Sequence, residues 1–152
     1  MIARRAILAA GPAALLAACG APPPPPAVLN LTIIGGKDQN PDPSGQPLSV
    51  SVRLIELGAS AAFERADFFA ISEREQQTLG PDDLGSQEFV LRPGESRTVS
   101  RELKKGAQFV GITVGFRDID RARWRALTPV AASGPTRRVL RIGGTNAVLA
   151  ET

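Results

Sequence analysis

This chain contains one cysteine, Cys19, and therefore cannot close a disulfide within itself. A chain without covalent cross-links must be held together by its apolar core. At 152 residues the chain is long enough for one domain that buries roughly two-thirds of the surface its unfolded form exposes. The sequence therefore predicts one domain that depends on hydrophobic packing.

Cys19 follows a short apolar segment, as the cysteine of a lipoprotein signal peptide does. Arg4 and Arg5 supply positive charge before the apolar residues 6–18, and this run is shorter than the roughly 20 apolar residues of a membrane-spanning helix. We predict a signal peptide at residues 1–18, exported by the general secretory or the twin-arginine route, and a covalent lipid on Cys19. The alternative is a secreted protein with an incidental cysteine. Gly20, by similarity to enterobacterial lipoproteins, indicates the outer membrane, with the domain facing the periplasm.

Five consecutive prolines, Pro22–Pro26, come soon after the cysteine. Such a run forms a stiff extended helix that cannot pair into a sheet. Residues 19–26 are therefore predicted to be an acylated cysteine and a tether, which at about 3.1 Å per residue holds a domain at 27–152 roughly 15 Å from the membrane.

Composition argues against catalysis and against nucleic acid as a partner. Loss of residues 1–18 removes two of the 18 basic residues and none of the 15 acidic ones, which leaves the mature chain nearly neutral. The chain has no histidine, so a Ser-His-Asp triad and a histidine zinc site are excluded. We predict no catalytic residues, no metal and no cofactor other than the lipid. A carboxylate hydrolase remains an alternative that needs two acids brought close together.

Apolar and polar residues alternate along most of the chain after the tether, which predicts short, half-buried strands. The segment 59–79 breaks this alternation and predicts a small helical insertion, in which Ser72 and Glu75 form a capping box. The expected fold is an all-β, two-sheet antiparallel β-sandwich with this insertion. The predicted strands are residues 28–34, 48–57, 87–91, 98–103, 109–116, 124–130, 137–142 and 146–149.

The connection between the first two predicted strands is long and rich in turn-forming residues. Its prolines make it stiff, and a stiff polar loop loses little entropy when a partner binds. We therefore predict a partner-binding loop. It comprises Gly35, Gly36, Lys37, Asp38, Gln39, Asn40, Pro41, Asp42, Pro43, Ser44, Gly45 and Gln46.

The spacing of Asp38, Asn40 and Asp42 resembles the start of a calcium-binding loop. However, Pro43 stands where that loop has glycine, and Ser49 stands where it has glutamate. Turn formation, in which the Asn and Asp side chains bond to their own backbone, is the favoured interpretation.

Charged residues are dense around the only tryptophan, in the segment 117–125. This segment could contact lipid headgroups or an acidic partner. The favoured interpretation is a solvated strand end, in which Arg117 pairs with a nearby aspartate and Trp124 fills the core. The same two interpretations apply to Arg137, Arg138 and Arg141.

Several stretches, in this order, resemble the TssJ family, the outer-membrane lipoproteins of the type VI secretion system. The resemblance implies a transthyretin-like β-sandwich with a helical insertion. It also implies that the protein anchors the trans-envelope complex by binding the periplasmic C-terminal region of TssM, with a contribution from the loop between the first two strands, here Gly35 to Gln46. The similar stretches are Cys19 with the apolar residues before it, 40–47, 48–57, 63–69, 78–80, 109–112, 116–118 and 124–125.

This sequence departs from the family pattern at two places. The loop carries Gly35-Gly36-Lys37 and extra prolines, and Ile55-Glu56 replaces the usual aromatic residue before Leu57. A membrane-anchored sandwich that binds a small ligand or a glycan is the alternative function. Sugar sites usually stack on Trp or Tyr, and Trp124 is the only candidate because the chain has no tyrosine.

Overall fold

The computed structural model describes residues 19–152, so the predicted signal peptide at 1–18 lies outside the described residues. The tether residues 19–26 are exposed and have no regular secondary structure. No helix in the described part of the chain is long and apolar enough to cross a membrane. The elements of residues 19–152 are β1 (Ala27–Gly35), β2 (Val50–Leu57), α1 (Ala61–Arg65), α2 (Phe68–Leu79), β3 (Asp83–Leu91), β4 (Ser96–Glu102), β5 (Phe109–Gly115), β6 (Arg125–Pro129), β7 (Gly134–Gly143) and β8 (Asn146–Glu151).

The strands form two four-stranded sheets, in the orders β4-β1-β7-β8 and β3-β2-β5-β6. These are called the first and the second sheet below. The predicted β-sandwich with a helical insertion is confirmed. One pairing departs from the antiparallel prediction, because β1 and β7 run parallel in register from Ala27 with Gly134 to Gly35 with Ile142. A parallel pair needs a long crossover, and here β2 to β6 provide it.

The main core lies between the sheets and follows the alternation of the strands. On β2, Val50, Val52 and Leu54 point into this core and are at most 2% exposed. They face β1 and β7 of the first sheet, which contribute Leu29, Leu31, Ile33, Leu140 and Ile142. This apolar layer joins the two sheets.

The helices cover the outer face of the second sheet and create a second core. Ile55 and Leu57 of β2 are buried there against Phe63 of α1 and Ile71 of α2, which is why the end of β2 is buried on both faces. Gly111 of β5 makes the close approach possible, since a Cβ at that position would lie 2.8 Å from the Phe63 ring.

The predicted capping box at Ser72 and Glu75 is wrong. The α2 helix begins earlier, at Phe68, where the Asp67 side chain accepts a hydrogen bond from the Ala70 backbone N–H at 2.7 Å. Asp67 performs the capping function one turn earlier, so Ser72 lies inside the helix. Glu75 pairs instead with Arg53 of β2 at 2.8 Å.

The strand directions give the sandwich two distinct ends. The tether enters at one end, where the Gly134 N–H donates to the Pro26 carbonyl at 3.0 Å. We call this the tether end; it also holds the connections 103–108 and 130–133. The opposite end, which we call the loop end, holds the connections 36–49, 92–95, 116–124 and 144–145. The nine residues of β1 separate the two ends by roughly 30 Å.

A buried ion pair lies near the tether end. The Glu56 carboxylate is 3% exposed, accepts a hydrogen bond from the Lys104 backbone N–H at 2.8 Å and lies 2.7 Å from the Arg101 guanidinium. This ion pair joins β2 to the end of β4. Separating the two strands here would leave the buried Glu56 charge without its partner, which is costly.

Candidate functional site

The loop predicted to bind a partner lies at the loop end and is attached to its neighbours along its first half. The Gly36 N–H donates to the Ile142 carbonyl of β7 at 2.6 Å, and the Gly94 N–H donates to the Gly36 carbonyl at 3.2 Å. A Cβ at position 36 would lie 2.8 Å from the Ile142 oxygen, so only glycine lets the chain pass this close. The loop is therefore attached to β7 and to the connection between β3 and β4.

Gln39 lies underneath the loop and is fully buried. Its side-chain amide donates to the Leu91 carbonyl at 2.9 Å and to the Leu48 carbonyl at 3.3 Å. The prediction placed Gln39 among the partner-binding residues, whereas the structure places it where it supports the loop. These bonds hold the start and the end of the loop against the end of β3.

Asn40 lies beside Gln39 and is 5% exposed. Its side-chain amide donates to the Ser49 carbonyl at 2.9 Å, and its oxygen accepts the Arg117 backbone N–H at 2.8 Å. Its φ of 49° is in the left-handed region, which Asn adopts more readily than most residues. Asn40 thus joins the loop to the connection between β5 and β6.

The exposed part of the loop is a closed tip built around Asp42. One carboxylate oxygen of Asp42 accepts hydrogen bonds from the Ser44 N–H at 2.8 Å, the Ser44 hydroxyl at 2.6 Å and the Gln46 N–H at 2.9 Å. The bond from the Ser44 hydroxyl, followed by the bond from the Gln46 N–H, lowers the pKa of Asp42. Pro41 and Pro47 pair across the base of the tip. The side chains that reach solvent belong to Pro43, Ser44 and Gln46, so the tip has a fixed shape before any partner binds.

Two of the oxygens considered for calcium already accept hydrogen bonds within the protein. The tip holds one oxygen of Asp42, and the Arg117 N–H holds the side-chain oxygen of Asn40. Among residues 19–152, no three Asp, Glu or Cys side chains lie close enough together to hold a metal ion. The favoured interpretation of the Asp38-Asn40-Asp42 spacing, turn formation, agrees with these bonds.

The segment 117–125 packs against the protein through Trp124 and exposes charged side chains to solvent. Trp124 packs edge-to-face on Phe68 at 5.4 Å and contacts both cores, as predicted. Arg117 is exposed and forms no ion pair within 4 Å in the described part of the chain, so the predicted pair with a nearby aspartate is not formed, although the charge of Arg117 contributes to lowering the pKa of Asp42. Asp118 instead lies 3.9 Å from Arg121.

Arg125 has a structural function that sequence patterns did not reveal. Its guanidinium donates to the backbone carbonyls of Phe63, Glu64 and Ala66 at the end of α1. It also lies 4.3 Å above the ring of Trp124. Partial burial lowers the pKa of Arg125. A cation at the C-terminal end of a helix is favourable, but these partners lie about 60 positions earlier in the chain.

A groove of about 430 Å³ lies between the start of α2 and the connection from β5 to β6. Its apolar wall is formed by Phe68, Phe69 and Trp124, and Phe69 is 53% exposed. Trp124, the candidate for sugar stacking, lies against the Arg125 guanidinium and the Phe68 ring. These contacts explain Trp124 as a packing residue.

The remaining arginines named from the sequence lie apart from one another. Arg138 lies 3.4 Å from Glu151 and donates to the Thr128 hydroxyl at 2.8 Å. Arg137 is exposed near the tether end, whereas Arg141 is exposed near the loop end. They do not form one patch. Cys19, the predicted lipidation site, is an exposed free cysteine at the start of the described residues.

Comparison with known proteins gives a consistent family signal. Residues 27–145 match the model of the family described as type VI secretion lipoprotein, VasD, EvfM, TssJ. The crystal structure of the T6SS lipoprotein TssJ1 from Pseudomonas aeruginosa is 33% identical over 84% of this chain and 98% of that chain, with a TM-score of 0.82. A search of curated proteins gave no significant match.

Two further solved structures have similar folds. The structure of Serratia marcescens Lip, titled a membrane bound component of the type VI secretion system, matches 84% of this chain and 98% of its own with a TM-score of 0.77. Its identity is 20%, so this match concerns the fold alone. A structure titled T6SS protein TssM C-terminal domain (869–1107) from EAEC matches 83% of this chain and 99% of its own, at 27% identity and a TM-score of 0.71.

Proposed function

This chain belongs to the type VI secretion lipoprotein family that includes TssJ, and we propose that it anchors the trans-envelope complex of that system to the outer membrane. In this proposal its partner is the periplasmic C-terminal region of TssM. The observation that carries the proposal is the position of the two ends. The tether leaves the domain at one end, and the preformed loop tip is presented at the other, roughly 30 Å away.

The choice of partner is supported by the lengths of the chains compared above. In the structure whose title names the TssM domain, 83% of this 152-residue chain covers 99% of the matched chain, so the matched chain is shorter than this protein. The span in that title, 869–1107, is longer than the whole of this protein. This difference in length is expected if the matched chain is a second protein in the same structure as the named domain.

The loop tip is suited to binding because it is already ordered. Asp42 holds the tip through three hydrogen bonds, and Gln39 and Asn40 hold the base. Ordering a loop on binding costs conformational entropy, and a loop ordered in advance avoids most of this cost. We assign the direct contacts to Lys37, Asp38 and the tip residues 42–46, and a supporting role to Gln39 and Asn40.

We assign the membrane contact to the lipid on Cys19, and we assign the outer membrane as the membrane that this lipid enters. Several acyl chains hold a protein firmly at a membrane, whereas a single chain holds it only marginally. The proline tether keeps the domain away from the bilayer and leaves the loop end free for a periplasmic partner. The role is structural, and we assign no catalytic residue, metal or cofactor to it.

The loop assignment is tested by replacing Asp42-Pro43-Ser44-Gly45-Gln46 with Gly-Gly, which retains Gln39 and Asn40. We expect much weaker binding of the purified TssM periplasmic region, measured by calorimetry, with a nearly unchanged Tm. A matched control changes the exposed Ala131 and Ala132 at the tether end to serine and should bind like wild type. Unchanged affinity of the loop variant would contradict the loop assignment, and a lack of binding by the wild type would contradict the partner.

The anchor is tested separately by Cys19→Ser. This variant should be recovered in the soluble periplasmic fraction instead of the outer-membrane fraction, while its affinity for the TssM region in solution stays unchanged. Retention of the variant in the outer membrane would show that something other than the lipid holds the protein there.

A further inference from the structure

Exposed positive charge is concentrated at the loop end. Five cations there have exposed side chains and no carboxylate within 4 Å in residues 19–152. They come from all four connections or from the strand ends beside them: Lys37, Arg92, Arg117, Arg123 and Arg141.

The acidic residues at the same end offset this charge only in part. Asp42 accepts hydrogen bonds from the neutral donors of the tip and keeps its negative charge, and Asp38 and Asp120 are exposed acids at the same end. Glu95 accepts the Arg92 backbone N–H at 2.8 Å and lies 3.2 Å from Arg97, and these contacts lower the pKa of Glu95. Asp118 lies near Arg121. Asp38, Asp42 and Asp120 are left to balance the five exposed cations, so the loop end carries an excess of two positive charges.

The tether end has no such excess. Arg101 is paired with Glu56, Arg138 is paired with Glu151, and the Lys104 ammonium donates to a backbone carbonyl. The exposed Lys105 and Arg137 are accompanied there by the acidic residues Asp82, Asp83 and Glu102. The positive excess therefore lies at the end opposite the tether.

We propose that the loop end docks an acidic protein surface, and that this surface belongs to the periplasmic region of TssM. This inference rests on the proposed function and adds the chemistry of the partner to it. A membrane lipid fits less well, because the loop end lies roughly 30 Å beyond the tether exit, whereas the field of an anionic membrane decays over a Debye length of about 8 Å.

The backbone segments that carry these cations are held in place by hydrogen bonds. Hydrogen bonds join the loop at Gly36 to the β3–β4 turn, join Asn40 to Arg117, and join the Arg123 N–H to the Thr145 carbonyl at 2.8 Å. A partner therefore meets a preformed pattern of charge. Such complementarity acts mainly by accelerating association, and salt weakens the effect.

The test compares two double variants that change the net charge equally. Arg117→Glu with Arg123→Glu alters the loop end, and Lys105→Glu with Arg137→Glu alters the tether end, both in the full chain carrying Cys19→Ser. The association rate constant for the TssM periplasmic region is measured at about 10 mM and about 150 mM salt, where the Debye lengths are about 30 and 8 Å. All four side chains are exposed, so both variants should retain the wild-type Tm.

We expect the loop-end variant to associate at least tenfold more slowly at low salt and to lose most of the salt dependence, as expected when steering is removed. The tether-end variant should differ from wild type by less than about twofold, since its charges lie far from the contact. Equal slowing of both variants, or an unchanged rate for the loop-end variant, would overturn the acidic-partner inference and leave the proposed function standing. A wild-type chain that does not bind the TssM region at either salt concentration would refute both.

Vesicles of phosphatidylglycerol and phosphatidylcholine provide the second arm of the test. The same chain should not cosediment with them at about 150 mM salt, where the membrane field is short-ranged. Cosedimentation that the loop-end variant loses and the tether-end variant keeps would make lipid the occupant of this surface and overturn the inference.

Discussion

Asn40 should determine the position of the whole partner-binding loop, although its own side chain is buried. Substitution by alanine removes the acceptor for the Arg117 N–H and the donor to the Ser49 carbonyl. It also places a residue with a poor left-handed preference at a φ of 49°. Asn40→Gly is the informative comparison, because glycine tolerates this φ but, like alanine, loses both side-chain hydrogen bonds.

The expected loss in the free energy of unfolding is the sum of the two lost hydrogen bonds and the unfavourable φ. Each lost hydrogen bond should cost about 1 kcal/mol, because Ser49 and Arg117 are exposed residues whose backbone groups can regain water. The left-handed conformation adds about 1 kcal/mol for alanine. We therefore expect Asn40→Ala to lower the free energy of unfolding by about 3 kcal/mol and Asn40→Gly by about 2 kcal/mol.

Urea denaturation at neutral pH measures both values, with the fluorescence of Trp124 as the signal because this single tryptophan packs against both cores. The exposed Asn146 at the same end provides a matched control, and Asn146→Ala should change stability by less than about 0.5 kcal/mol. The reasoning would be refuted if Asn40→Ala were as stable as this control, or if the alanine variant were at least as stable as the glycine variant.

Three further predictions concern other contacts. Arg101→Ala leaves the buried Glu56 carboxylate without its partner and should cost about 3 kcal/mol in urea denaturation, and adding Glu56→Gln should recover part of this loss. Gly111→Ala places a methyl group 2.8 Å from the Phe63 ring and should cost about 1–3 kcal/mol, seen as a lower Tm; an unchanged Tm would mean that α1 moves freely. The pKa of Asp42 is lowered in the folded protein, so its stabilisation of the tip is complete above the ordinary carboxyl pKa and is lost as the pH falls through the lowered value. Amide hydrogen exchange in the tip, corrected for its intrinsic pH dependence, should show this loss of protection below a pH of about 4, and Asp42→Asn should abolish the pH dependence.

The strands could be predicted because their signal is local. Alternation along β2 and the apolar run of β5 place both strands to within two residues, and the helical insertion is marked by the loss of alternation. The parallel pairing of β1 with β7 could not be predicted in this way, because it joins segments more than 100 residues apart. The capping box failed for a different reason. Asp67 and Ser72 are both suitable caps, and only packing decides where α2 begins.

The loop that forms the candidate site was predictable in its position along the chain but not in its internal arrangement. Glycine, proline and asparagine identify the residues after β1 as a long, stiff loop. Gln39 looks like any exposed polar residue in the sequence, and its burial depends on the Leu91 carbonyl, 52 residues away. The three carbonyls that bind Arg125 are about 60 residues away, so no local sequence pattern indicates these contacts either. Local patterns therefore indicate where the loop is, while distant backbone groups decide which of its side chains are buried and which are exposed.

The position of the loop directly after β1 affects how this domain would carry tension between a membrane anchor and a partner. The chain runs without interruption from the tether through β1 into the loop, so a pull between Cys19 and the tip is transmitted through the covalent backbone of one strand. That strand is central in the first sheet and is paired with β4 from Val28 to Ile34 and with β7 from Ala27 to Gly35. The hydrogen bonds that pair β1 with β4 and β7 therefore lie beside the pulled backbone and do not themselves carry the pull. The contacts of Gln39 and Asn40 would then need only to keep the loop in shape and would not have to bear the pull themselves.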